Sequence, residues 1–316
     1  MKLPGVLGPI DSSELGCTLV HEHVNGACWN MRMSFPEWYS AEKFVERATV
    51  YMKALKAEGV DTVIDFTPIN IGRDIKSIIR VAEATGMQMM SVIGFYYGDD
   101  AWMHGATEDI FYGIFMHDIE KGMEGTGIKP CIIKVATDAH GISPINRMIL
   151  RAGARASIAS GLPIYTHASH YNGMGKAQQD VFEEMGVDLS HVCIGHCGDT
   201  SDVDYIEDIL KRGSYVGLDR FSFDNINPLE NRVRTACELV KRGYTDRLFL
   251  SHDRVVWPVS DFYENLPDYD PDTETLDMRY LNRVAIPELM KNGITGEQIH
   301  TMLYKNVPAF FENSMG

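Results

Sequence analysis

The chain has 316 residues, with 29 basic against 44 acidic side chains and a formal net charge of -15. That length suits one large domain, and that charge argues against nucleic acid or anionic membrane as partners. Six cysteines with no Cys-x-x-Cys spacing suggest neither a zinc knuckle nor a disulfide framework. No signal-peptide core opens the chain and no run has membrane-spanning length, so a soluble cytoplasmic protein is expected.

Residues 18–23 begin the pattern: Thr18, Leu19 and Val20 form a strand leading into His21, Glu22 and His23. In an extended chain i and i+2 face the same side, so both imidazoles can reach one metal ion. An isolated His-x-His is at least as often an ordinary surface or core pair, so the rest of the chain must decide. An aromatic and Met-rich stretch, 29–39, precedes a helical pattern over 41–58 that Gly59 stops. Strand 61–66 is followed by helix 74–85, and strand 89–94 by a loop holding Tyr96, Tyr97 and Trp102 and then helix 108–124. Strands at 131–135, 163–166, 192–195, 215–218 and 248–251 alternate with helices at 146–160, 176–185, 201–212 and 228–242, and helices at 279–292 and 295–304 close the chain. Eight apolar strands alternating with helices, without a linker, predict a single (β/α)8 TIM barrel over 1–316. A doubly wound open sheet is the alternative, but no Gly-x-Gly-x-x-Gly follows any strand.

Barrel enzymes carry their chemistry at the C-terminal ends of the strands. Strand one ends in His21 and His23, strand four in Lys134, strand five in His167, strand six in His196 and strand eight in Asp253. Singly, Lys134 reads as a solvated lysine and Asp253 as a helix-cap or turn residue, while His167 and His196 read equally as core residues or ligands. Sharing one rim, they read as a metal site. A protonated amine repels a cation, but the apolar neighbours of Lys134 lower its pKa and expose a nucleophilic nitrogen. Such an amine can capture carbon dioxide, and the resulting carbamate could bridge two ions. One ion would then take His21, His23 and Asp253, the other His167 and His196, with carboxylated Lys134 between them.

Segments 16–23 (GCTLVHEH), 133–137 (IKVAT), 166–169 (THAS), 193–196 (CIGH), 217–219 (GLD) and 251–253 (SHD) resemble those of the phosphotriesterase-like family of the amidohydrolase superfamily. The likeness runs in order from about Leu3 to the closing 306–311 (NVPAFF). It implies a (β/α)8 metallohydrolase, usually dimeric, with two divalent ions and an N6-carboxylated lysine. His21, His23, Lys134, His167, His196 and Asp253 carry over as the ligands. Zinc suits four nitrogens and hard oxygens, as do iron, manganese and cobalt.

In such a centre a shared water becomes a metal-bridging hydroxide, one ion polarises the substrate, and a carboxylate, here Asp253, accepts the proton. By the same resemblance, Arg220 stands where true phosphotriesterases usually carry histidine and the lactonase branch arginine. Tyr96 falls where lactonases place a tyrosine near the metals. Both favour a lactone or carboxylic ester, with phosphotriester hydrolysis as a possible side reaction. Asp199 matches the family's relay carboxylate and could pair with Arg220; a purely structural salt bridge from Arg220 to Asp199 or Asp219 is the alternative. The loop 254–277, holding Trp257, Phe262, Tyr263, Leu266 and Tyr269 together with Asp261, Asp268, Asp270, Asp272 and Glu274, is expected over the site as an apolar wall with a solvated acidic face. His170 and His252 are candidate outer donors or ordinary core and surface residues. An organophosphate triesterase, an amidohydrolase acting on N-acyl amino acids and a binding protein on a retired barrel are the competing readings. The complete ligand set counts against the last.

Overall fold

The computed structural model describes residues 1–26, 29–36, 39–256 and 278–315. Two short antiparallel strands, β1 (Lys2–Gly5) and β2 (Gly8–Asp11), precede the barrel. Eight parallel strands follow: β3 (Thr18–Glu22), β4 (Thr62–Asp65), β5 (Gln88–Gly94), β6 (Ile132–Thr137), β7 (Ile164–Ala168), β8 (Val192–Ile194), β9 (Tyr215–Leu218) and β10 (Leu248–Leu250). Each pairs with its sequence neighbours from β3 round to β10, as a TIM barrel requires. The circuit closes just above the last ladder. There Asp253 N–H donates to His21 O (3.0 Å), His23 N–H to Arg254 O (2.7 Å) and Val256 N–H to His23 O (2.9 Å).

Strand alternation divides the apolar residues into two cores. Ile133, Val135, Ile164, Val192, Ile194, Val216, Leu218, Leu248 and Leu250 point outward beneath the helices. Val20, Ile64, Phe66, Met90, Val92, Ile132, Tyr165, Cys193, Tyr215 and Phe249 fill the barrel. Lys134 and His167 continue the inward rows of Ile132 and Tyr165, which carries both to the upper end of the interior. Strand β3 departs from strict alternation. Its register against β4 shifts between Leu19 and Glu22, and such a bulge re-aims a side chain. Leu19 lies in the outer core, whereas Val20 lies in the inner one and the His21 ring sits 4.4 Å from that of inner Phe66.

The two chain ends contribute to the inner core, an arrangement absent from the sequence-based expectation. Leu3 of β1 and Val307, Phe310 and Phe311 of the terminal helix Asn306–Met315 join it, and Ser12 Oγ donates to Glu312 (2.9 Å). The expected last helix, 295–304, runs on through a π turn at Thr301–Lys305 into that terminal helix. Another π turn, Leu281–Ala285, leads into Ile286–Lys291. Pro308 and Pro287 lie just beyond these turns. Proline cannot donate the i to i−4 bond, so the widened turn lets the helix continue past it.

Gly94 ends β5 with φ +151°, and a Cβ built there would lie 1.7 Å from the Lys134 carbonyl oxygen. Gly94→Ala is therefore expected to separate β5 from β6 and to cost more than about 3 kcal/mol. Thermal denaturation checks this, and an unchanged Tm would show that the strands part without cost.

Candidate metal centre

His21, His23, Lys134, His167, His196 and Asp253 line one cleft of about 340 Å³ above the barrel's inner core. All six are buried. They meet because the interior rows of several strands end at one rim, and because two of them leave their strands by an unusual route. His196 (φ 60°) and Asp253 (φ 53°) are in the left-handed region, which non-glycine residues occupy at a cost. Each lies shortly past the last residue of its strand, where continued alternation no longer dictates side-chain direction.

The carboxylate of Asp219, at the exit of β9, is fully buried and orients the set. Its Oδ2 lies 2.8 Å from His21 Nδ1 and accepts from Tyr165 Oη (2.6 Å), while its Oδ1 accepts His196 N–H (2.8 Å) and lies 3.0 Å from His196 Nδ1. His23 Nδ1 rests 3.1 Å from Thr67 Oγ1, which also lies 2.8 Å from Asp65 Oδ1. With Nδ1 of His21, His23 and His196 engaged, Nε2 is the ring nitrogen left to each. His21 Nε2 and His23 Nε2 lie 3.5 and 3.1 Å from Asp253 Oδ1. A tetrahedron with bonds of about 2.0–2.1 Å has edges of roughly 3.3 Å, so these three donors are spaced as ligands of one ion would be. Asp219 also forms a close group with His21 and His196, but through the Nδ1 atoms it holds, which makes it their anchor. The His167 and His196 rings meet edge-on at 4.5 Å, and Lys134 Nζ lies 3.1 Å from His21 Nε2.

The protonation states of these groups favour metal binding. Burial, with the nearby Lys134 charge, pushes His21 down to about 3, and burial followed by His196 pushes His167 well below its usual value. Both imidazoles keep their lone pairs at neutral pH. Burial works to raise the pKa of Asp253, but His21 and the permanent charge of Arg220 outweigh it and hold the carboxyl well below the usual range. Burial also pushes Lys134 down to about 8.

Arg220 Nε donates to Asp253 Oδ2 (2.7 Å) and its Nη1 to Asp199 Oδ2 (2.9 Å); Asp199 Oδ1 in turn accepts from Arg232 Nη2 (2.9 Å). Arg220 thus bridges Asp199 and Asp253 and makes no ion pair with Asp219. Tyr96, half-buried, stands with its ring 4.9 Å from that of His167. Asn70 holds its backbone, accepting Tyr96 N–H (2.7 Å) and donating to Tyr96 O (3.3 Å) and Gly98 O (3.0 Å). Ile71, Phe223 and Val255 complete the apolar walls. His252 is buried against Glu22, whereas His170 is half-buried beside Tyr171 and borders no candidate ligand. The aromatic and acidic residues expected over the site, Trp257 to Glu274, lie outside the described residues.

Sequence reasoning passed over Asp219 as a site residue, placing it within the GLD segment and as a possible salt-bridge partner of Arg220. The signal was available: Asp219 is the polar residue at the exit of strand seven, and the strand-exit criterion applied to the other strands selects it.

Fold and site together define a TIM barrel with a buried donor set suited to divalent metal. The phosphotriesterase family's model matches residues 1–311, and the chain belongs to that family, which is one of binuclear metal enzymes. A phosphotriesterase homology protein from Mycobacterium tuberculosis is 40% identical over 98% of this chain and 97% of its own. The aryldialkylphosphatase of Saccharolobus solfataricus is 33% identical, covering 98% and 100%. A more distant relative, the N-acetyltaurine hydrolase of Xenopus tropicalis, is 26% identical over 80% and 84%. The solved structure of the phosphotriesterase from Mycobacterium tuberculosis superposes with a TM-score of 0.90 at 38% identity, covering 99% of this chain and 98% of that one.

Replacing Asp219 with Asn removes an acceptor from a carboxylate that four donors share. Metal affinity is expected to fall about 10- to 100-fold, measured by competition with a chromogenic chelator. Tyr165→Phe, which removes one donor and leaves both histidines held, should stay within about threefold of wild type.

Proposed function

We propose that this chain hydrolyses a lactone or carboxylic ester at a binuclear centre held by His21, His23, Lys134, His167, His196 and Asp253, with Lys134 carboxylated. The observation that carries the reading is the pairing of Arg220 with Asp253 and of Tyr96 with His167 in one cleft. These are the two positions at which the family's lactonase branch departs from its phosphotriesterases. Zinc is the expected metal from the donor set, which iron, manganese and cobalt also suit, and a homodimer is the expected assembly from the family resemblance.

Bound divalent ions would lower the pKa of a water toward neutrality and polarise the substrate's carbonyl oxygen. The protein's own residues supply the rest. Arg220 pins Asp253 Oδ2 and so fixes the direction of Oδ1, the oxygen that faces His21 and His23. Asp253 is the proton acceptor for the attacking water. Tyr96, with Ile71, Phe223 and Val255, gives the cleft an apolar wall against which the substrate's acyl part can pack. Lys134 acts through its lone pair: neutral Nζ attacks the carbon of CO2 and loses a proton, giving a carbamate.

The test is a substrate panel run after reconstitution with bicarbonate and zinc, manganese or cobalt. It contains γ- and δ-lactones, N-acyl homoserine lactones, aryl esters, N-acyl amino acids and a phosphotriester. Lactone or ester kcat/KM should exceed that for the phosphotriester by at least about 100-fold, and Lys134→Ala should lose at least roughly 100-fold. The names of the relatives favour a phosphotriester or an amide as the second reading. Dominance of either substrate would overturn the carbonyl-ester assignment and leave the metal centre standing.

The Lys134 environment also sets a pH dependence. An ordinary lysine becomes neutral only near pH 10.4, whereas burial pushes this amine down to about 8. Its nucleophilic fraction therefore grows with rising pH through about 8. At fixed dissolved CO2, reactivation of metal-stripped protein should accelerate between about pH 6 and 8 and level off above about 9. A rate still climbing steeply between about pH 9 and 10.5 would contradict this.

A further inference from the structure

The seam between the first and last barrel strands is held differently from the other seven joints. Strand β10 ends at Leu250, before the residues that carry Asp253. Glu22, fully buried between His21 and His23, takes up the donors of that segment. Its Oε1 accepts from Ser251 Oγ (2.7 Å) and His252 N–H (3.2 Å), and its Oε2 accepts Arg254 N–H (2.9 Å). His252 Nδ1 lies 2.6 Å from the same Oε2, and His252 Nε2 meets the carbonyl of Met278. Ser251 Oγ also accepts His21 N–H (3.1 Å), and Asp253 N–H reaches His21 O (3.0 Å). Donors on both sides of Asp253 thus converge on one side chain while Asp253 itself stands in the left-handed conformation.

We propose that Glu22 is a positioning residue for the metal centre: its carboxylate templates the turn over residues 251–254 and so fixes where Asp253 points. Only a carboxylate offers two oxygens with lone pairs enough for these donors and no hydrogen of its own to clash with them. Burial without such partners would expel the charge. Glu22 is absent from the cleft lining, so its effect reaches the centre through Asp253. His252 extends the same contact to Met278, tying the chain that returns to the barrel to the segment that leaves it. The inference rests on the metal-centre reading and is independent of the substrate class.

The test compares zinc retention in reconstituted wild type, Glu22→Gln and Ser251→Ala by timed chelator extraction and metal analysis. Tm of each metal-free protein and kcat and KM of each reloaded protein are measured alongside. Glutamine keeps the size and one acceptor oxygen but turns an NH2 toward the Arg254 N–H. Extraction from Glu22→Gln should be about 10- to 100-fold faster and kcat about tenfold lower, with KM and the metal-free Tm close to wild type. Ser251→Ala, which removes one arm, should extract roughly three- to tenfold faster. Wild-type extraction rates in both variants overturn the proposal. A metal-free Tm that falls in step with zinc loss also overturns it, since Glu22 would then support the fold alone. If Glu22→Gln does not fold, Ser251→Ala decides by the same criteria. Wild type that retains no zinc sinks the metal-centre reading itself, whereas full retention in wild type and variants alike sinks only the role of Glu22.

Discussion

One buried carboxylate, Asp219, holds together groups from four strands. His21 comes from the first barrel strand, Tyr165 from the fifth, His196 from the exit of the sixth and Asp219 from that of the seventh, so their contacts span the interior. Two glycines make room for it. A Cβ at Gly217 would lie 2.3 Å from Tyr165 Oη and 2.5 Å from Asp219 Oδ2; one at Gly195 would lie 2.2 Å from Thr166 O and 3.2 Å from that Oδ2. The small residues in the CIGH and GLD segments are therefore explained by the space the carboxylate needs. Because Asp219 occupies Nδ1 of both histidines, each ring keeps one remaining nitrogen and a defined orientation. The site's geometry thus depends on a residue that belongs to no close ligand group through the ring nitrogens facing Asp253.

The same logic of paired burial runs outward from the cleft. Asp253, Arg220, Asp199 and Arg232 form a chain of alternating charge, each partner within 2.9 Å of the next. A lone charge among them would be expensive to bury, and the alternation offsets that cost. Lys134 is the exception. It is buried over the rings of Phe66 and Tyr165, with Nζ 5.0 and 5.8 Å from their centroids, and its close polar neighbour is the imidazole of His21. Burial lowers the pKa of this amine to about 8, and among the described residues no carboxylate at hydrogen-bond distance offsets that effect. The feature that looks least like metal-site chemistry in the sequence, a lysine among histidines, is consistent with an amine prepared for modification.

The barrel was legible because every strand is buried on both faces and so reads as a short apolar run between glycines and helices. The strand-exit criterion brought six residues to one cleft for the same reason, as inward rows on neighbouring strands end at one level. What escaped was carried by less periodic features. The β1–β2 hairpin is four residues a side and contains Pro4 and Pro9, so strand propensity does not mark it. The terminal helix is preceded by a π turn and interrupted in pattern by Pro308, which made 295–304 look like the end. The bulge in β3 is invisible to a period-two argument: alternation from outward Leu19 would have turned His21 outward as well. His21 and His23 nonetheless reach the same cleft, because the irregularity between Leu19 and Glu22 turns His21 inward.

The arginine in the charge chain bears on the chemistry. His196 and Asp253 each hold a left-handed conformation costing about 1–2 kcal/mol, and each is compensated locally, by Asp219 at the His196 N–H and by Glu22 on both sides of Asp253. Asp253 is thereby presented to Arg220 with little freedom to turn. A histidine in that place could accept a proton from Asp253 and pass it to Asp199. Arg220 is already fully protonated, and the carboxylates of Asp253 and Asp199 raise its pKa further against the opposing effect of burial, so it donates hydrogen bonds and accepts no proton. Under the proposed mechanism, a proton collected at Asp253 would then be returned to the leaving oxygen. An aliphatic alkoxide, such as the one a lactone releases on ring opening, requires that proton to leave as an alcohol, whereas a stable phenolate does not. Substituting arginine for histidine at position 220 therefore suits basic leaving groups, which gives the carbonyl-ester reading a physical basis beyond family resemblance.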